Sequence, residues 1–278
     1  MTILVQSLMD IAPDYDAIVF DQWGVLHDGS APYPGAVNCL KSLHNGGHRL
    51  AVLSNSGKRA SQNRDRISKM GFPWSLFECV MTSGEALWQD INSRTVSART
   101  FFPVERSVGD AVKWAQGLNV ALTNKISSAE AILLMGLPDN SKLEDYQPLI
   151  QDWLDLDLPI YCSNPDRASP RADGLVISPG ALAHTYLEMG GKVHFYGKPH
   201  APVFDSLQNA LGVQKLLMIG DSIEHDIAGA QGVGWDNILV QSGLYKDRFA
   251  TENPSLIIQE IIAEKACAAP TFRIESVQ

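Results

Sequence analysis

The sequence is short of positive charge. Lysine and arginine number 22 against 31 aspartates and glutamates, a formal charge of −9. That balance argues against a polyanion-binding surface, so neither nucleic acid nor an acidic membrane face is an expected partner. Any anionic substrate must find a local site that opposes the global field. Cysteine is scarce as well. Cys39, Cys79, Cys162 and Cys267 include no CxxC pair and no metal-ligand spacing. A disulfide framework is not expected in a chain of 278 residues, and a reducing, cytoplasmic setting fits better. The opening "MTILVQSLMDIAPDYD" has no basic start and only a brief apolar run, so it does not read as a secretory signal. No apolar stretch approaches the length that spans a bilayer.

What the chain does have is a succession of short, continuously apolar runs separated by helical patterns. The runs are "AIVF" (17–20), "RLAVL" (49–53), "CVMT" (79–82), "AILLMGL" (131–137), "LPIYCS" (158–163), "VHFYG" (193–197), "LLMIGD" (216–221) and "NILVQ" (237–241). Such runs suit strands covered on both faces, and their alternation with helices predicts an α/β chain with mainly parallel sheet. Ser141 and Glu144 in "SKLE" have the spacing of a capping box ahead of a helix with Leu143, Tyr146, Ile150 and Leu154 on one face. The segment "SNPDRASPRADG" (163–174) reads as an exposed irregular loop. Residues 94–185 differ in texture from the rest, which predicts an inserted second domain between core segments 1–93 and 186–278.

Polar residues follow four of the strands: Asp21, then Ser54 and Asn55, then Lys198, then Asp221 with Asp226 five residues on. Ligands of an open parallel sheet bind outside the carboxyl ends of its strands, so these residues can meet in one crevice. The set has a chemical logic. A carboxylate can attack phosphorus to give an aspartyl-phosphate. Two or three carboxylates can hold Mg²⁺. A lysine, a hydroxyl and turn amides can hold a phosphoryl group. Each residue taken singly also fits a turn or a helix cap; the ordered combination on strand ends is what argues for chemistry.

These residues lie in "FDQWGVL", "VLSNSG", "YGKPHAPVF" and "MIGDSIEHDIAGA", and with them the sequence resembles the haloacid dehalogenase (HAD) superfamily. The long interval between Ser54 and Lys198, with "GKPHAPVF" and "CSNPD", resembles class IIA, the branch of p-nitrophenylphosphatase-like enzymes, pyridoxal phosphatase and phosphoglycolate phosphatase. The resemblance implies a Rossmann-like core with a parallel sheet and an inserted α/β cap of the C2 type. It implies Asp21 as nucleophile and metal ligand, the Trp23 backbone carbonyl as a second ligand, and Asp221 and Asp226 completing a Mg²⁺ site. It further implies Ser54, Asn55 and Lys198 on the phosphoryl group of a small phosphorylated metabolite. Asn164 and Asp166 are candidate cap contacts, with turn chemistry around Pro165 as the other reading. Lys58 and Arg59 suit either an anionic substrate tail or a solvated helix start. Class IIA relatives that dimerise do so through their caps, so a homodimer is compatible.

One position departs from the pattern. Phosphatases of this superfamily carry at position 23 an Asp that serves as general acid and base; here it is Trp23. An indole is a donor only and cannot exchange a proton in the useful pH range. Haloacid dehalogenases also carry an aromatic there and need no metal, but the retained "GDSIEHD" carboxylates and the cap position favour a metal-dependent phosphoryl site. His27 and Asp28 in the same flap are candidates to replace the lost acid. The sequence thus supports a Mg²⁺-dependent phosphatase with an impaired proton-transfer step; the alternative is a phosphate-ligand binding or regulatory protein on the same scaffold.

Overall fold

The computed structural model describes residues 2–171, 174–251 and 253–278. Its strands are β1 (Ile3–Leu4), β2 (Ala17–Phe20), β3 (Leu50–Ser54), β4 (Cys79–Thr82), β5 (Thr100–Val104), β6 (Ala121–Leu122) and β7 (Ala131–Leu134), followed by β8 (Ile160–Cys162), β9 (Ala168–Arg171), β10 (Gly174–Ile177), β11 (Val193–Phe195), β12 (Leu216–Gly220), β13 (Asp236–Val240) and β14 (Phe272–Ile274). The chain divides into two compact units. One comprises Met1–Ser54, Ser61–Met81 and Lys198–Gln278; the other comprises Asn55–Ala60 and Thr82–Gly197. The second unit therefore takes in residues 55–60, 82–93 and 186–197, which the sequence pattern had placed in the core segments.

The first unit is built on a seven-stranded sheet in the order β1-β14-β13-β12-β2-β3-β4. The ladders linking β1 through β3 are all parallel. Every residue of β2 and of β12 is buried, as expected for central strands covered on both faces. The alternation of a strand separates the two faces. Ile238 and Val240 join the larger core with Ile18, Phe20, Leu40 and Leu43. Leu239 turns the other way, onto Ile223, Ile257, Ile258 and Ile261. In this geometry β2 and β12 are hydrogen-bonded neighbours, so the residues that follow them, Asp21 and Asp221, emerge side by side at the carboxyl edge.

The second unit has a parallel five-stranded sheet in the order β11-β8-β7-β5-β6. Its core packs Trp153 edge-on against Tyr186, with ring centroids 6.1 Å apart, over Ile132, Leu134 and Ile160. The mixed α/β architecture with parallel sheets is the one the alternating pattern implied.

Two local expectations fail. The segment 163–174 is not an irregular loop throughout: β9 and β10 pair as an antiparallel hairpin, Ala168 opposite Ile177. A two-stranded ladder needs no long apolar run, so polar composition concealed it; Ala172 and Asp173 lie outside the described residues. The capping box is displaced by one residue. Ser141 Oγ donates to the Pro138 carbonyl, and it is Asp145, not Glu144, that accepts the Lys142 amide. A short 3₁₀ turn, Leu143–Tyr146, intervenes before the helix Gln147–Asp155.

Candidate active site

Four charged side chains converge at the carboxyl edge of the first unit's sheet. The Lys198 ammonium donates to Asp21 Oδ1 at 2.5 Å and to Asp226 Oδ1 at 2.6 Å. Lys198 is 3 % exposed, so water screens these pairs little. The second oxygen of Asp226 accepts the backbone N–H groups of Asp221 and Ser222, both at 3.1 Å. A turn of π-helix, Ile223–Ile227, makes that reach possible. Ser222 Oγ caps it by accepting the His225 N–H at 3.2 Å. Asp226 thus has all its contacts directed to positioning, holding Lys198 with one oxygen and the Asp221 backbone with the other.

Asp221 sits differently. Its Oδ2 accepts one amide, that of Leu244, at 2.8 Å. Two glycines press on the same carboxylate. A Cβ at Gly24 would overlap Asp221 Oδ2, and a Cβ at Gly243 would overlap Asp221 Cβ and Oδ2. Gly24 also has φ +84°, which disfavours any side chain there. The cradle is therefore glycine at both walls because the carboxylate fills the space.

Electrostatics follow from burial and crowding. Burial, with the Asp226 charge adding to it, raises Asp21 to about 6 against the pull of Lys198. Asp221 is held well above the usual carboxylate range by burial and by the charges of Asp21 and Asp226. Burial alone would depress Lys198, but Asp21 and Asp226 overcome it and raise the ammonium. Three carboxylates with one ammonium leave unbalanced negative charge in a dry pocket. Oxygens of Asp21, Asp221 and Asp226 all lie within 4.8 Å of one another. Hard oxygen donors at that spacing, short of positive charge, fit a small divalent cation such as Mg²⁺.

The remaining sequence candidates fall into two groups. In the first unit, the β2–β3 register sets Ser54 beside the turn that follows Asp21. Trp23 is 42 % exposed, its indole lying against Gly29. In the second unit, Asn55, Asn164 and Asp166 form a chain. Asn55 Nδ2 donates to Asp166 Oδ1 at 2.8 Å, and the Asp166 amide donates to Asn164 Oδ1 at 3.0 Å. The Asn164–Asp166 bond is the turn chemistry that Pro165 suggested; the Asn55 bond is additional. Arg59 is no solvated residue. Its Nε meets Glu85 at 2.7 Å and its guanidinium lies 3.8 Å from the centre of the Trp88 ring.

The flap residues are not poised as acids near neutral pH. His27 is 1 % exposed, and its Nδ1 accepts the Gly29 amide at 3.0 Å. That bond puts the ring proton on Nε2, which finds no acceptor among the described residues. Burial, with help from the Arg66 charge, lowers His27 to about 4. Asp28 accepts the Ser30 and Ala31 amides and the Ser30 hydroxyl at 2.8 Å, and those bonds lower it to about 2. Sequence reasoning missed the pair under the flap, Gln22 and Asn63. Gln22 Nε2 donates to Asn63 Oδ1 at 2.5 Å, and Asn63 Nδ2 returns the bond at 3.3 Å. No local pattern marks that pairing. The cradle glycines had a visible signal, since each is a glycine in the turn that follows a strand, Gly24 after β2 and Gly243 after β13.

With this geometry in view, comparison with known proteins is informative. Residues 18–115 match the family described as haloacid dehalogenase-like hydrolase, and residues 195–263 match the HAD-hydrolase-like family. A mouse protein, haloacid dehalogenase-like hydrolase domain-containing protein 2, is 30 % identical over 237 residues, covering 83 % of this chain and 85 % of its own. The chain belongs to the haloacid dehalogenase-like hydrolases. An acid sugar phosphatase of Staphylococcus epidermidis is 26 % identical to this HAD-like hydrolase, over 86 % of this chain and 92 % of its own. A crystal structure of a haloacid dehalogenase-like hydrolase from Brucella suis 1330 superposes with a TM-score of 0.80 at 26 % identity, covering 98 % of this chain and 99 % of that one. Class IIA fits these likenesses. Among the described residues, no helix of this HAD-like hydrolase is long and apolar enough to cross a membrane.

Proposed function

We propose that this HAD-like hydrolase is a Mg²⁺-dependent phosphatase of a small phosphorylated metabolite, working through an aspartyl-phosphate on Asp21 and lacking a side-chain general acid. The observation that carries this reading is the buried Lys198 bridge between Asp21 and Asp226, set beside a third carboxylate, Asp221, that pairs with no cation among the described residues. Lys198 engages one oxygen of Asp21, leaving the second to attack. That oxygen bonds to phosphorus as the ester oxygen leaves with the bond electrons. Water then attacks phosphorus, the bond to Asp21 breaks, and inorganic phosphate departs. Lys198 holds charge at the transferring oxygens throughout, since it stays protonated. Ser54 and Asn55 supply donors to the phosphoryl group, and Asn164 and Asp166 contribute to substrate selection. Asp21, Asp221, the Trp23 carbonyl and, through positioning, Asp226 would hold the Mg²⁺, which supplies charge neutralisation when bound.

The leaving oxygen must take its proton from solvent, because Trp23 has none to give in this range. Esters with good leaving groups therefore suit this site best. The test is a panel of aryl, acyl and alkyl phosphates with and without Mg²⁺, beside an Asp21→Asn control. Expected are Mg²⁺-dependent turnover, aryl and acyl esters well ahead of alkyl ones, and no turnover in the control. Alkyl esters cleaved as fast as aryl ones would overturn the missing-acid reading; turnover surviving Asp21→Asn would overturn the covalent one. Trp23 also favours a second reading, a binding or regulatory protein on this scaffold, for which the whole panel stays silent while phosphate esters still bind.

A further inference from the structure

Next to Asp21 in the chain is Gln22, whose side chain belongs to a buried amide pair that the mechanism above does not use. Its partner, Asn63, lies on the helix Ala60–Lys69, whose buried residues are Asn63 and Ile67. Gln22 and Asn63 are each 3 % exposed. Gln22 Nε2 donates to Asn63 Oδ1, and Asn63 Nδ2 donates back to Gln22 Oε1. Burying two amides forfeits their hydration, and two apolar side chains would fill the same space without that cost. What the reciprocal bonds add is direction. They fix the rotation of both side chains, which apolar packing alone does not.

The backbone of Gln22 carries that constraint to the neighbouring acid. Its carbonyl accepts the Leu26 amide at 2.8 Å and the His27 amide at 3.1 Å, which closes the flap turn. Its N–H donates to the Asp21 carboxylate. Lys198 holds Oδ1 of the same carboxylate. Two donors therefore set the plane of that group. One ends a long flexible side chain; the other is a main-chain amide anchored through Asn63. We propose that Asn63 is a positioning residue: acting through Gln22, it holds the Asp21 carboxylate in the orientation from which it attacks, which rests on the proposed role of Asp21 as nucleophile.

Three variants of the full chain test this with Mg²⁺ and an aryl phosphate. Asn63→Leu leaves the Gln22 amide unsatisfied and should lower kcat roughly tenfold or more, with KM little changed. Gln22→Met with Asn63→Leu replaces both amides by apolar groups. That pair should recover the melting temperature lost in Asn63→Leu, but not kcat. Ile67→Ala, one turn along the same helix, removes packing without touching the amide pair. It should lower the melting temperature and leave kcat unchanged. A readout without turnover separates this proposal from the phosphatase reading. In ¹⁵N NMR spectra Asp21→Asn should shift the Gln22 amide, and should shift it much less in the Asn63→Leu background. Loss of that coupling in a protein whose wild type hydrolyses no ester supports the positioning contact and overturns the phosphatase reading alone. An equal shift in both backgrounds would overturn the positioning role, as would a kcat that returns with the melting temperature in the double variant.

Discussion

On the mechanism proposed above, Trp23 stands where a proton would be handed to the leaving group, and neither His27 nor Asp28 is poised to take over the task. His27 has its Nδ1 committed to the Gly29 amide, and Asp28 has its carboxylate committed to the Ser30 and Ala31 turn. Restoring the acid therefore means changing Trp23 itself. Trp23→Asp is expected to raise turnover of alkyl phosphates, by up to about 10²–10⁴-fold on the general scale of acid–base catalysis, and to raise aryl phosphate turnover much less. Steady-state rates on the two ester classes check this. An unchanged alkyl rate would place the deficiency elsewhere in the site. At this scale the sequence was a good guide to residue types at strand ends, because Asp21, Lys198 and Asp221 each follow an apolar run. It was silent about Gln22 with Asn63, whose contact depends on a fold that brings the flap onto the helix Ala60–Lys69.

Among the elements, the short loop after β13 has the most specific task. Gly243 and Leu244 form one wall of the Asp221 pocket, Leu244 through its amide and Gly243 through its missing side chain. Gly243→Ala would push the carboxylate out of place without removing any donor. Outer-shell changes of this kind cost metal affinity about 10–100-fold. The expected outcome is a near-normal melting temperature in EDTA, with the rise on adding Mg²⁺ reached only at tenfold or higher concentration. Differential scanning calorimetry over a Mg²⁺ series measures both. The main strands were readable because β2 and β12 are apolar along their length and β13 carries the apolar run Ile238 to Val240. The short ones were not: β6 and β1 are two residues each, and β14 alternates an arginine with its apolar pair. Hairpin β9–β10 lies in a segment whose composition resembles a loop. In these elements pairing is set by neighbours in space, which local pattern does not contain.

For the whole molecule, the buried flap histidine links folding to pH. Its folded value, about 4, lies below the roughly 6.5 of an unfolded chain. The unfolded state therefore takes up the proton first as pH falls. Stability from this group is complete above pH about 6.5 and is lost progressively down to about 4, a total near 3 kcal/mol. Between pH 7.5 and 5 the loss from His27 comes to about 2 kcal/mol. Urea unfolding at those two values should show it, and His27→Gln should reduce the difference by about that amount. An equal pH dependence in the variant would assign the acid sensitivity to other groups. The class of the molecule, parallel α/β with a second unit between the Ser54 and Lys198 motifs, was legible in the alternation of runs and in the motif spacing. The exact limits of the units were not, since residues 55–60, 82–93 and 186–197 belong to the second unit by contact rather than by texture.

The Lys198–Asp21 bond joins residues 177 apart in the chain. During synthesis Asp21 leaves the ribosome long before its counter-ion exists, and the cation's other acceptor, Asp226, follows later still. Chains interrupted anywhere in that interval contain Asp21 without the ammonium that meets its carboxylate. Under the mechanism proposed above, a chain that ends before Lys198 therefore lacks the cation that the transferring oxygens require, and one that ends before Asp226 lacks that cation's second acceptor.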